Sequence, residues 1–140
     1  MSDQPLQGFD GHYGLQLTTA TADEVRGAVE IRDHHLQPAG IVHGGVLASM
    51  AEAMASIGTW LGVREAGNVA MGLSNQTSFL RPLTSGTIQA VATPRHRGRT
   101  TWVWEVEISD DQKRLAALVR MTIAVRPHPD GLVLPDPQPE

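Results

Sequence analysis

At 140 residues, 41% of them hydrophobic, the chain is long enough for one domain with its own core and too short for two. A net charge of −4 argues against bulk nucleic-acid binding, and the absence of cysteine excludes disulfides and thiolate chemistry. No apolar run approaches the roughly 20 residues that span a bilayer, and Met1 to Gly8 lacks the basic and apolar regions of a secretory signal, so a cytoplasmic protein without membrane attachment is expected.

In chain order, residues 1–11 read as a loose arm or short helix. Tyr13 to Thr19 and Glu24 to Ile31 read as strands around a Thr21-Ala22-Asp23 turn; Val25, Gly27, Val29 and Ile31 alternate with Arg26, Ala28 and Glu30. Leu36 to Val42 is a loop marked by Pro38 and Gly40. His43-Gly44-Gly45 then opens a helix from Val46 to about Val63, with Gly62 and Gly67 framing its exit. Val46, Leu47, Met50, Ala51, Met54, Ile57 and Leu61 share one side at helical spacing, and Ser49, Glu52, Ser56 and Thr59 share the other. Four strand-like runs follow: Val69 to Leu80, Thr87 to His96, Thr100 to Ser109 and Arg114 to Val125. In the third of these, Trp102, Trp104, Val106 and Ile108 share a face. The turns Leu83 to Gly86, Arg97-Gly98 and Asp110-Asp111 predict that consecutive runs are antiparallel neighbours. One domain is expected over 1–126, with a Pro-rich, disordered or extended tail at 127–140.

Two strands, one long helix and four strands make an α+β protein. A single helix apolar around much of its girth is best buried by a sheet that curls around it. Patterning alone also allows other α+β sandwiches. Between Asp33 and Arg64 the only formal charge is Glu52. A solvent-facing helix would carry Lys, Arg and Glu along its outer side. Ala, Ser, Gly and Thr stand there instead, so a second molecule is expected to cover that side. A lone carboxylate in such a place is costly unless paired or used.

Gln37-Pro38-Ala39-Gly40-Ile41-Val42-His43-Gly44-Gly45, with Glu52 nine residues after the His, Gln37 six before it and Ser56 four after the Glu, resembles the hotdog-fold acyl-CoA thioesterases. The closest branch is PaaI-like, with the Glu-on-helix type of 4-hydroxybenzoyl-CoA thioesterase and the proofreading thioesterase of enterobactin synthesis. Asn75 to Pro82 and His96 to Thr101 are similar to that family too. The resemblance implies an antiparallel sheet of about six strands wrapped around one central helix. It also implies hydrolysis of an acyl-CoA, an aryl group being favoured, with coenzyme A as part of the substrate and no separate cofactor.

In such enzymes the positions matching Gln37, Gly44, Glu52 and Ser56 form the active site, and His43 joins it in the proofreading branch. A helix N-terminus offers free N–H groups and a favourable dipole to a thioester oxygen at Gly44 and Gly45. Glu52 would attack the carbonyl or activate a water. Ser56 would bond Glu52 or the water. Gln37 and His43 would orient the thioester, and His43 is also placed to protonate the leaving thiolate. Asn75 belongs to the substrate-binding set, and Arg95, Arg97 and Arg99 are candidates for the phosphates of coenzyme A. Each has a plainer reading: Glu52 as an ion-pair partner, His43 as a helix-start hydrogen-bonder, Ser56 as packing, Gln37 as a loop residue, the arginines as a solvated hairpin. His34 and His35 would point apart in a strand, and no set of residues has metal-ligand spacing.

Gly44 and Glu52 are eight residues apart, about 12 Å along a helix. They cannot both reach one carbonyl carbon. An obligate homodimer with shared sites is therefore expected, as in the family, with a dimer of dimers left open. Two other functions stay open: an acyl-thioester dehydratase or hydratase of the same fold, and a non-catalytic acyl-CoA-binding module.

Overall fold

The computed structural model describes residues 6–130. A short helix α1 (Gly8–His12) precedes strands β1 (Gln16–Ala20) and β2 (Val25–Glu30) and a one-turn 3-10 helix (Asp33–His35). The long helix α2 (Gly44–Val63) is followed by β3 (Asn68–Phe79), β4 (Thr87–Arg97), β5 (Thr101–Ser109) and β6 (Leu115–Pro127). The six strands form one antiparallel sheet in the order β1-β2-β4-β5-β6-β3, wrapped around α2: the hotdog fold. Of the expected N-terminal arm, 1–5 lie outside the described residues, as do 131–140 of the expected tail. β6 runs to Pro127, into that tail.

β3 does not lie beside β4, as its short connection to β4 led one to expect. β2 and β5 occupy both edges of β4, so β3 pairs with β6 at the far side of the sheet. The segment between β3 and β4 is thus a crossover, fastened along its length. Leu80 and Arg81 N–H groups donate to the Ala116 carbonyl, Val42 N–H to that of Leu83, and Ile31 N–H to that of Gly86. Tyr13 also leaves its expected strand: it ends α1, buried, and β1 begins at Gln16.

β5 alternates as its sequence dictates, with Trp102, Trp104, Val106 and Ile108 all buried. The two indoles decide how α2 sits. A Cβ at Gly58 would stand 2.4 Å from Trp104 Cη2, and one at Gly62 would stand 2.5 Å from Trp102 Cη2. Only glycine lets the helix approach the sheet this closely. The buried stripe therefore runs through Leu47, Met50, Ala51, Met54, Ala55, Gly58, Thr59 and Val63. Val46, Ile57 and Leu61 are half-exposed, and Thr59, expected on the polar side, is in the core. Its hydroxyl donates to the Ala55 carbonyl and accepts the Trp104 Nε1–H at 2.8 Å, so neither buried polar group is left unpaired.

Gly44–Ala66 is long and apolar enough, with a mean hydropathy of 1.3, to cross a bilayer by length and composition. That corrects the expectation that no stretch comes near: Val, Leu, Ile, Met and Ala outweigh the Gly, Ser and Thr set between them. Here the sheet covers this helix on one side. Its other side carries a single carboxylate, Glu52, and beside it runs the edge strand β3, uncharged from Asn68 to Leu80. Met71, Leu73, Phe79 and Leu80 are each at least 50% exposed there. A long, uncharged, unpaired edge is what isolated sheets avoid.

Candidate active site

His43 is the N-cap of α2, and its Nδ1 accepts the Gly45 N–H at 2.9 Å. The Val46 N–H goes to the His43 carbonyl. The Gly44 N–H has no acceptor among the described residues. Of the two glycines, Gly44 thus presents the free donor, at the positive end of a 20-residue helix. Accepting at Nδ1 also fixes the tautomer of His43: the ring proton sits on Nε2, which can donate to a ligand.

The loop before the helix is held by His35, which in the sequence stood out only as a strand residue without metal-ligand spacing. Its Nδ1 accepts the Arg32 N–H at 2.9 Å and its Nε2–H donates to the Tyr13 carbonyl at 2.8 Å. The His43 N–H donates to the His35 carbonyl. One buried imidazole therefore ties the end of β2, the end of α1 and the cap of α2 together. The bond from Arg32 closes a 3-10 turn, so His34 and His35 do not point apart as in a strand. Their ring centroids are 4.1 Å apart. Gln37 follows in a tight turn, its carbonyl accepting the Gly40 N–H, with Gly40 in the left-handed region (φ 79°). Its half-buried side chain has no hydrogen-bond partner among the described residues.

Glu52 is two turns along α2, exposed in the single chain and without an ion pair among the described residues. It rests on Gly72 of β3: a Cβ there would stand 3.3 Å from Glu52 Oε1. The β3–β6 register slips by one residue between Gly72 and Ser74, a bulge beside the carboxylate. Ser56, one turn beyond, is half-buried and does not bond Glu52 in the single chain. Asn75 donates to the Ala48 carbonyl at 3.0 Å and accepts the Thr77 hydroxyl at 2.7 Å. It stitches β3 to the middle of α2, between Gly44 and Glu52. At the other end of β3 the Phe79 ring lies against Gly44. Gly72 has no periodic or motif signal that could have marked it in the sequence, and Phe79 lies in the family-like stretch Asn75 to Pro82 without a role assigned to it there.

A cavity of about 440 Å³ opens beside the helix start, between α1, the 3-10 turn and α2, lined by Phe9, Tyr13, His34, His43, Val46 and Ser49 among others. Phe9 and Tyr13 meet edge to face at 5.2 Å. Burial first, then the Asp10 carboxylate that accepts the Tyr13 hydroxyl at 2.8 Å, and more weakly Glu52, push the Tyr13 phenol far above its ordinary range. It stays neutral.

The three candidate arginines separate. Arg97 pairs with Asp23 at 2.5 Å and lies over Trp102, 5.2 Å from the ring centroid. It serves the hairpin. Arg95 and Arg99 are exposed and unpaired among the described residues. Because Trp102 packs on Gly62, this hairpin lies at the C-terminal end of α2, beyond Glu52, rather than at Gly44.

The thioesterase superfamily model matches residues 39–117, which include the helix start and Glu52. Rv1847 of Mycobacterium tuberculosis, named as an esterase, is 40% identical over 111 residues, covering 78% of this chain and 79% of its own. Its structure superposes with a TM-score of 0.83 at 35% identity, over 86% of this chain and 98% of that one. The thioesterase HI1161 of Haemophilus influenzae is similar at 31% identity and a TM-score of 0.78, over 83% and 80% of the two chains. A mutant form of the thioesterase PA1618 of Pseudomonas aeruginosa is similar at 30% identity and a TM-score of 0.79, over 83% and 84%.

Proposed function

The chain belongs to the thioesterase superfamily and is a thioester hydrolase, and from that premise we propose that it cleaves an acyl-CoA to the free acid and coenzyme A in a site shared by two subunits. The observation that carries the reading is the pairing of one free donor, the Gly44 N–H, with one carboxylate, Glu52, along an otherwise uncharged helix side. About 12 Å of helix separates them, so a single chain cannot bring both to one carbonyl. A two-fold partner can, with Glu52 of the partner subunit set against Gly44. The uncharged edge of β3 supports such a partner, since pairing would satisfy its open backbone and cover its apolar side chains.

In this reading the thioester oxygen accepts the Gly44 N–H, and the α2 dipole stabilises the oxyanion that forms. Glu52 either attacks the carbonyl carbon, giving an anhydride that water then opens, or takes a proton from the attacking water. In both routes the carbon–sulfur bond breaks, and the thiolate leaves with a proton. His43 donates from Nε2 toward the thioester, the role its capping bond leaves it, and Gln37 holds the acyl side from the same loop. Ser56 of the Glu52 side hydrogen-bonds the carboxylate or its water once the second subunit closes the site. Arg95 and Arg99 are the candidates for the nucleotide phosphates. The cavity walled by Phe9 and Tyr13 supports a ring-bearing acyl group.

Steady-state assay of the purified protein on straight-chain and aromatic acyl-CoAs, reading free thiol, tests this. Thiol release with kcat/KM highest for aromatic acyl groups is expected. No thiol release from any of them would overturn it.

A further inference from the structure

Phe79 is the last residue of β3, and the motif reading gave it no task. Its position is unusual for a large apolar side chain. A Cβ on Gly44 would stand 2.8 Å from both Cε1 and Cζ of its ring, so the ring lies directly on the first turn of α2. Yet Phe79 is 57% exposed. One side of the ring is therefore packed on the residue with the free N–H, and the rest faces outward. The backbone behind it is fixed. Phe79 is in register with Ala117 of β6, and the next two N–H groups, of Leu80 and Arg81, both donate to the Ala116 carbonyl at 2.8 and 3.1 Å. The ring is thus held against Gly44 by the sheet and not by a loose loop.

We propose that Phe79 is a positioning residue for the thioester, an apolar wall that keeps water from one side of the Gly44 N–H and holds the carbonyl against it. The inference rests on the acyl-CoA reading above. A hydrogen bond to a developing oxyanion is stronger where water is excluded, because the local dielectric falls. An aromatic ring supplies that exclusion without offering a competing acceptor. The same contact means that a side chain at position 44 would have to displace the Phe79 ring even before substrate arrives. By contrast, a Cβ at Gly45 would meet only the His43 ring, at 3.0 Å.

The test uses the full-length protein and one acyl-CoA that the wild type cleaves. Phe79→Ala is expected to lower kcat by about 10-fold or more with a smaller change in KM, because the wall acts as charge develops on the oxygen. Phe79→Leu, which restores an apolar wall, should recover most of that loss. Elution volume must show the same assembly for all variants. A second arm reads the contact without activity. Gly44→Ala should lower the melting temperature, and adding Phe79→Ala should raise it again, since the clash is with that ring. Unchanged kcat in Phe79→Ala, a loss explained wholly by dissociation of the assembly, or a double variant melting no higher than Gly44→Ala would each overturn the proposal. A wild type that releases no thiol would overturn the acyl-CoA reading and the wall's catalytic role with it. That outcome is distinct from failure of the wall alone, where the wild type is active and Phe79→Ala matches it.

Discussion

Gly72 lies beneath Glu52: a Cβ at position 72 would stand 3.3 Å from Oε1 and 3.5 Å from Cδ of the carboxylate. The atoms met are the flexible end of an exposed side chain. Adding a methyl there should therefore displace the carboxylate more than it strains the fold. Gly72→Ala is expected to lower kcat by about 10-fold, since a displacement of roughly 1 Å can matter to a reacting group, while the melting temperature stays within about 2 °C of wild type. A large fall in melting temperature with kcat retained would show that Gly72 serves the bulge instead.

Glu52 is the only formal charge between Asp33 and Arg64. Glu52→Gln keeps its size and removes its capacity to attack or to accept a proton. A fall in kcat on the order of 10²–10⁴-fold is expected, with the assembly unchanged in size by elution volume. Near-normal turnover would remove the carboxylate from the chemistry.

The central helix was legible in the sequence because its period and its glycine-flanked ends are local. So was the buried face of β5, because alternation is local too. The position of β3 was not, since a short connection reads as a hairpin unless both edges of the next strand are already taken, as β2 and β5 take those of β4. Nor was the rotation of α2: Thr59 looked polar until Trp104, 45 positions away, supplied the donor that pairs its hydroxyl. The motif marked the candidate site's two ends, Gly44 and Glu52. The contacts that Gly72 and Phe79 make with them became visible only once β3 was folded alongside α2. Contacts between residues this far apart leave no periodic trace.

Gly58 tests the helix–sheet approach. Its missing Cβ leaves room for Trp104, which is fully buried and would stand 2.4 Å from it. Rigid indole and helix backbone cannot both yield. Gly58→Ala is expected to destabilise the protein by about 1–3 kcal/mol despite the better helix propensity of alanine, read by urea denaturation. A neutral or stabilising effect would mean that the helix sits further from β5.

Asp110 caps the β5–β6 turn, accepting the N–H groups of Gln112 and Arg114 and the Arg114 Nε–H. The Arg114 backbone N–H first, then the Arg114 side chain and the Gln112 N–H, hold its carboxyl below the ordinary Asp range. A lowered native value means the unfolded chain takes up the proton first as pH falls. The stabilisation is therefore fully present above the ordinary value of about 4 and is lost as pH falls through the lowered one. The difference in melting temperature between wild type and Asp110→Asn should be largest near neutrality and shrink below about pH 4. A difference that does not depend on pH would show that the amide replaces the carboxylate fully.

The proposed sharing of the site between two subunits is tested by complementation between two inactive variants. One carries Glu52→Gln. The other carries Gly44→Leu, whose side chain meets Phe79 and blocks the place of the thioester oxygen. Each homodimer should be inactive, because every site in it lacks one of the two groups. In a mixed dimer one site inherits both lesions and the other inherits neither. Unfolding the two together and refolding them at equal amounts should make half of the dimers mixed, with one intact site in each. Activity should return to roughly a quarter of the wild-type total under random reassortment. Gly44→Leu must first be shown by circular dichroism and elution volume to fold and dimerise, since a side chain there crowds the helix start. If it does not, Gln37→Ala, a lesion in the loop at the same end of α2, takes its place. Two differently tagged subunits, purified through both tags, give the mixed dimer alone, where half the wild-type activity per dimer is expected. Verified mixed dimers without activity would show that Gly44 and Glu52 do not meet across the subunit boundary.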